Sequence, residues 1–144
     1  MVSETLFMDT SIPIYAAGKP SEHKDVCIKL LEKIERGELK AAIDTEVIQE
    51  ILCRFHRLNM RGPGIELGRH VLRLGMRVLP VARRDIDATL LLFSKYFLKG
   101  VPPRDALHAS VMLNNGINKI ITLDKHFGDV MKEVQRVEPE RLVY

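Results

Sequence analysis

The chain has 144 residues and a mass of 16.4 kDa, the size of one domain over 1–144 whose core needs no disulfide or structural metal. Hydrophobic residues make up 46% and charged residues 28%, which excludes a mostly disordered chain. The longest apolar runs, such as Leu90-Leu91-Leu92-Phe93, are too short to span a bilayer, and Glu4 and Asp9 interrupt the region where a secretory signal would need an apolar run. The formal charge of +3 does not by itself demand a nucleic-acid partner. Its distribution is more telling. Between Arg54 and Arg84 stand eight arginines, no lysine and one acid, Glu66, for a local balance of +7, while the other residues sum to −4. Cys27 and Cys53 form neither a disulfide framework nor a zinc motif, which fits free thiols in a reducing cytoplasm.

Thr5-Leu6-Phe7-Met8 reads as a buried strand stopped at Asp9. Pro13, Ile14 and Tyr15 read as core packing just beyond it. Ser21 to Arg36 is a helix with Val26, Leu30, Leu31 and Ile34 on one face and Gly37 as its stop. Ala41-Ala42-Ile43 is a second strand. Asp44 or Thr45 then caps a helix with Val47, Ile48, Ile51, Leu52 and Phe55 on its apolar face, broken at Gly62-Pro63-Gly64. A further helix carries Ile65, Leu67, Val71, Leu72 and Leu74. Arg77 to Val81 is a third strand, confined by Pro80 to an edge or an end. Helices follow at Asp85 to Lys99 and Arg104 to Asn115, stopped by Gly100 and Gly116. Lys119-Ile120-Ile121-Thr122 is a fourth strand, rich in β-branched residues. A short helix over Lys125 to Lys132 and a last strand at Gln135-Arg136-Val137 complete the chain.

Short apolar strands alternating with amphipathic helices specify an α/β fold: a three-layer α/β/α sandwich around a mostly parallel sheet of about five strands. Ligands of such sheets bind beyond the carboxyl ends of the strands, and acids collect there. Asp9 follows the first strand, Asp44, Glu46 and Glu50 follow the second, and Asp124 follows the fourth, with Asp105 opening the helix before it. Each acid alone is an ordinary cap or turn residue, and Glu50 has a possible i, i+4 partner in Arg54. Together they would repel one another unless one kept its proton or a cation joined them. Oxygen ligands without a His/Cys set favour Mg²⁺ or Mn²⁺. Arg54, Arg57 and Arg61 share a helix face suited to RNA phosphates, a solvated face being the plainer alternative. His108 reads as a satisfied helix histidine and His126 as a surface one within reach of a phosphate. The Leu90-Leu91-Leu92-Phe93 helix, apolar nearly all round, should be buried or form an interface.

Four pieces in order carry a family resemblance: Leu6-Phe7-Met8-Asp9, Asp44-Thr45 with Glu50-Ile51-Leu52, Arg104-Asp105-Ala106-Leu107-His108-Ala109, and Ile121-Thr122-Leu123-Asp124-Lys125-His126-Phe127. The chain resembles PIN-domain proteins of the kind found as the toxin in VapBC toxin–antitoxin pairs. The resemblance implies a metal-dependent ribonuclease in which Asp9, Glu50, Asp105 and Asp124 are the catalytic acids and hold Mg²⁺ or Mn²⁺. Thr122 stands beside the last acid, and Glu46 is a solvated group or lies behind the ligands. It further implies an RNA substrate, a VapB-type antitoxin and a homodimer. A non-catalytic RNA- or protein-binding module would need the fold and the arginines but not the acids. A stand-alone RNA-processing nuclease without an antitoxin would read the same. A receiver-like domain is disfavoured because no acid ends the third strand, and a nucleotide-binding domain because no glycine-rich loop follows the first.

Overall fold

The computed structural model describes residues 4–144. Five strands, β1 (Leu6–Met8), β2 (Ala41–Asp44), β3 (Arg77–Leu79), β4 (Lys119–Ile121) and β5 (Gln135–Val137), form one sheet in the order β3-β2-β1-β4-β5. Every neighbouring pair is parallel. β1 is central and wholly buried, as is β2, which is why both read as continuous apolar runs. β3 is an edge strand with Arg77 and Val78 exposed, as Pro80 required. The helices are α1 (Ser11–Ala17), α2 (Lys24–Glu35), α3 (Thr45–Arg57), α4 (Arg61–Leu72), α5 (Arg83–Tyr96), α6 (Pro103–Asn114) and α7 (Glu140–Val143). α1 packs on α2, α3 on α4, and α5 on α6. No helix among the described residues is long and apolar enough to cross a membrane.

Several local expectations are corrected. Residues 11–17 are helical, with Pro13 third in α1, inside the first turn where its missing N–H costs nothing. Tyr15 is not core: it is 39% exposed and stacks edge-on against His23. Gly62-Pro63-Gly64 does not break a helix but lies within the first turn of α4. The break falls at Leu58–Met60, where Asn59 takes φ of 55°. Gly64 is there for packing, because a Cβ on it would stand 2.6 Å from Phe55 Cβ of α3. Only glycine lets α4 approach α3 this closely. The expected helix over 125–132 is a single irregular turn, His126–Val130, with Gly128 at φ of 84°.

The apolar run on α5 is not buried. Leu90 and Leu91 are 65% and 77% exposed, and Ile86, Phe97 and Leu98 are exposed with them, so the reading of a fully buried helix is corrected. Arg54 and Arg57 are exposed on α3, but Arg61 opens α4 and its Nε donates to His56 Nδ1 at 3.0 Å. The three arginines therefore do not line one helix face. Cys27 is a buried free thiol pushed up to about 12 by burial, and Cys53 is a half-buried free one.

Candidate functional site

The topology brings the acids to one edge of the sheet. β1 ends at Met8, and its neighbours β2 and β4 end on either side of it. Asp9 is buried directly beyond β1, and its N–H donates to Ile121 O of β4 at 3.0 Å. Directly beyond β4, Thr122 Oγ1 donates to Asp9 Oδ2 at 2.8 Å. The same hydroxyl accepts from Asp124 N at 2.9 Å, and Asp124 Oδ1 accepts from His126 N at 2.8 Å. One short run, Thr122 to His126, thus fixes Asp9 and Asp124 together. Burial raises the Asp9 carboxyl above the usual range, and nearby Glu50 adds to the rise.

Asp105 comes from α6, whose Pro103 supplies a helix start with φ preset. Its carboxyl is buried, and Oδ2 has no hydrogen-bond partner. Burial first, then Asp124 and Asp9, raise it from 3.8 to about 9. His126 Nδ1 lies 3.0 Å from Asp124 Oδ1 and 3.4 Å from Asp105 Oδ2. It too is buried without a hydrogen-bond partner. Ligand atoms of Asp105, Asp124 and His126 all lie within 4.8 Å of one another. Ligands about 2.1 Å from an octahedral ion stand about 3 Å apart on adjacent corners, so this spacing fits a shared cation. His126, expected on the surface, is half-buried in this cluster.

Glu50, like Asp9, stands outside that cluster. It does not pair with Arg54; its Oε1 is bonded to His108 Nε2. His108 is fully buried one turn beyond Asp105 on α6. Its other nitrogen, Nδ1, meets Asp44 Oδ2 at 2.7 Å. Asp44, also fully buried, caps α3 by accepting Val47 N at 3.1 Å on Oδ1. Desolvation opposes a charged ring, yet the bonds to Asp44 and Glu50 overcome it and hold His108 well above the usual histidine range. The cationic ring in turn lowers Asp9 and Asp105. Sequence reasoning saw Asp44 as a cap and as one of the acids at the sheet's carboxyl edge, and His108 as a satisfied helix residue, without joining the two. The i+3 position of His108 beside Asp105 was visible, but no local spacing could announce its bond to Asp44 across 64 residues. Glu46 is half-buried, 3.8 Å from Arg104, and is raised chiefly by burial. It stands at the rim and not among the clustered ligands.

The sequence profile of the PIN domain matches residues 6–133. The chain belongs to the PIN-domain family. It is 29% identical over 122 residues to a protein named VapC ribonuclease Mb1869c from Mycobacterium bovis, covering 85% of this chain and 92% of that one. It is 27% identical over 136 residues to ribonuclease VapC7 of Mycobacterium tuberculosis, covering 94% and 92%. Among solved structures, Mycobacterium tuberculosis VapC20, titled a sarcin-ricin loop cleaving toxin, superposes with a TM-score of 0.73 at 15% identity, covering 87% of this chain and 94% of that one. VapBC2 from Rickettsia felis, solved on a DNA fragment from its promoter, gives 0.72 at 15% identity over 94% and 98%. At such identity these structures speak for the fold alone: the PIN-domain α/β architecture with its five-stranded parallel sheet.

Proposed function

We propose that this PIN-domain protein is a metal-dependent endoribonuclease acting as the toxin of a VapBC-type pair. The observation that carries the reading is the buried Asp105 carboxyl, without a partner on Oδ2 and raised to about 9 beside Asp124 and Asp9. A divalent cation resolves that conflict, because it replaces repulsion among carboxylates with attraction to each of them. The names of the VapC relatives supply the substrate class.

Asp9, Asp105 and Asp124 are the acids that would hold the ion, with His126 as a nitrogen ligand and Glu50 at the margin. The oxygen-rich set suits Mg²⁺ or Mn²⁺, and one imidazole tilts the preference toward Mn²⁺. When bound, such a cation supplies Lewis acidity to the phosphodiester and makes water a competent nucleophile. The chain's own residues do the rest. Thr122 fixes Asp9 and the backbone turn at Asp124, so the acids are preorganised before substrate arrives. No serine, cysteine or threonine nucleophile is required. Arg54 and Arg57, exposed on α3, draw the RNA backbone toward the cleft; Arg61, tied to His56, contributes less. The exposed apolar face of α5 is the surface for a homodimer, and an antitoxin restrains the activity.

The test is cleavage of a mixed set of single-stranded and structured RNAs with Mn²⁺, Mg²⁺ or EDTA, comparing the wild type with Asp105→Asn. Cleavage that needs metal and disappears in the variant is the expected result. Cleavage that survives EDTA refutes the metal role. No cleavage, together with no metal-induced rise in melting temperature, would make the chain a PIN-fold binding module instead.

A further inference from the structure

Glu50 stands outside the Asp105–Asp124–His126 cluster, as Asp9 does, and it is held there by a specific device. β2 ends in Asp44, whose Oδ1 is spent on the α3 cap and whose Oδ2 holds His108 Nδ1. The other ring nitrogen holds Glu50 Oε1. Ionised carboxylates only accept hydrogen bonds, so a ring bonded to two of them donates from both nitrogens. The ring cannot turn away, since it is fully buried and packs 5.7 Å, centroid to centroid, from Phe7 of β1. Glu50 is different. Its side chain is long, and 18% of it reaches solvent. Among the described residues, its Oε2 has no side-chain partner in the hydrogen-bond network. The sequence Val47 N–H, Asp44, His108, Glu50 is therefore a rigid arm that begins in the backbone of α3 and ends on a carboxylate at the cleft.

We propose that His108, anchored by Asp44, is the positioning residue for Glu50: it fixes one oxygen of that carboxylate and presents the other to the cation site. Outer groups of this kind raise the precision of a metal site by removing the rotamer freedom of a ligand. His108 touches neither substrate nor cation in this scheme and acts only through Glu50.

The inference rests on the metal-site reading above, and the test separates the two. Mn²⁺ alone is titrated calorimetrically into the metal-free full chain for wild type, His108→Gln, Asp44→Asn, Glu50→Gln and the double variant His108→Gln/Glu50→Gln, with melting curves confirming folding. Should His108→Gln fail to fold, Asp44→Asn carries the same test, because its amide oxygen still accepts the Val47 N–H. His108→Gln and Asp44→Asn are expected to weaken Mn²⁺ binding by about 10-fold or more, the range for groups behind metal ligands. In the Glu50→Gln background, adding His108→Gln is expected to change the affinity by less than about 2-fold, since the arm then has nothing to hold. Wild-type affinity in His108→Gln overturns the inference. So does an equal loss with and without Glu50, which would mark a merely structural histidine. Absence of Mn²⁺ binding by the wild type overturns the metal-site reading and the inference with it.

Discussion

Replacing Asp105 with asparagine removes one charge from the cleft and leaves its shape nearly intact. In the folded chain this carboxyl titrates near 9 in place of 3.8, because burial and the neighbouring Asp124 and Asp9 disfavour its ionised form. A folded-state value above the unfolded one means that the folded chain binds the proton more tightly. The contribution of this group to stability is therefore greatest below pH 3.8 and falls as pH rises toward 9. Each pH unit in that window costs up to about 1.4 kcal/mol, so the upper bound at pH 7 is about 4 kcal/mol. Asparagine does not titrate and escapes the whole cost. Allowing for relaxation around the charge, Asp105→Asn should stabilise the metal-free protein at pH 7 by about 2–4 kcal/mol, or roughly 6–12 °C in Tm for a chain of this length. The assay is thermal unfolding of both proteins in EDTA from pH 4 to pH 9. The difference should be near zero at pH 4 and widen steadily. A constant difference across that range, or a variant less stable at pH 7 than at pH 4 relative to wild type, would refute the electrostatic argument.

Saturating Mn²⁺ should raise the wild-type Tm, with about 2.7 kcal/mol gained at a hundred times Kd. The rise should shrink strongly in Asp124→Asn and in His126→Ala when followed by scanning calorimetry. Arg54→Ala/Arg57→Ala should weaken binding of single-stranded RNA and flatten the plot of log affinity against log salt by about one unit; an unchanged slope removes these arginines from the phosphate path. Gly64→Ala should destabilise by about 1–3 kcal/mol in urea unfolding, because its Cβ would meet Phe55 Cβ at 2.6 Å. Asp85→Ala should cost about 2–4 kcal/mol, since the buried Asp85 accepts from Ala82 N at 2.8 Å and from Asn114 Nδ2 at 2.9 Å and both donors would lose their partner.

The parallel sheet and the places where strands end in acids were legible because buried strands are short, apolar and stopped by polar residues. Asp9 and Asp124 follow from that pattern plus the rule that α/β sheets bind ligands at their carboxyl edge, whereas Asp105 opens a helix and was singled out by the family resemblance. What escaped was of two kinds. One was local: Pro63 looks like a breaker, and Pro13 gave no sign of a helix, yet both sit in first turns, where a proline is harmless. The other was long-range. Glu50 had a ready i, i+4 neighbour in Arg54, and sequence offers only such near partners. The real one, His108, is 58 residues away and reaches Glu50 because α6 runs beside the end of β2. His126 was readable as a residue near the last acid, but its burial depends on the irregular turn with Gly128 at φ of 84°.

The strand order has a consequence for how the protein is made. β1 is synthesised first and sits in the middle of the sheet, but the strand on one side of it, β4, arrives more than a hundred residues later. Until Thr122 emerges, Asp9 lacks the hydroxyl that fixes it, and until Asp124 and His126 follow, the cation pocket has one wall missing. A chain interrupted between Asp105 and Thr122 carries Asp9, Glu50 and Asp105 yet no assembled cleft. A growing chain therefore completes the cleft only once the segment from Thr122 to His126 has emerged and joined β1.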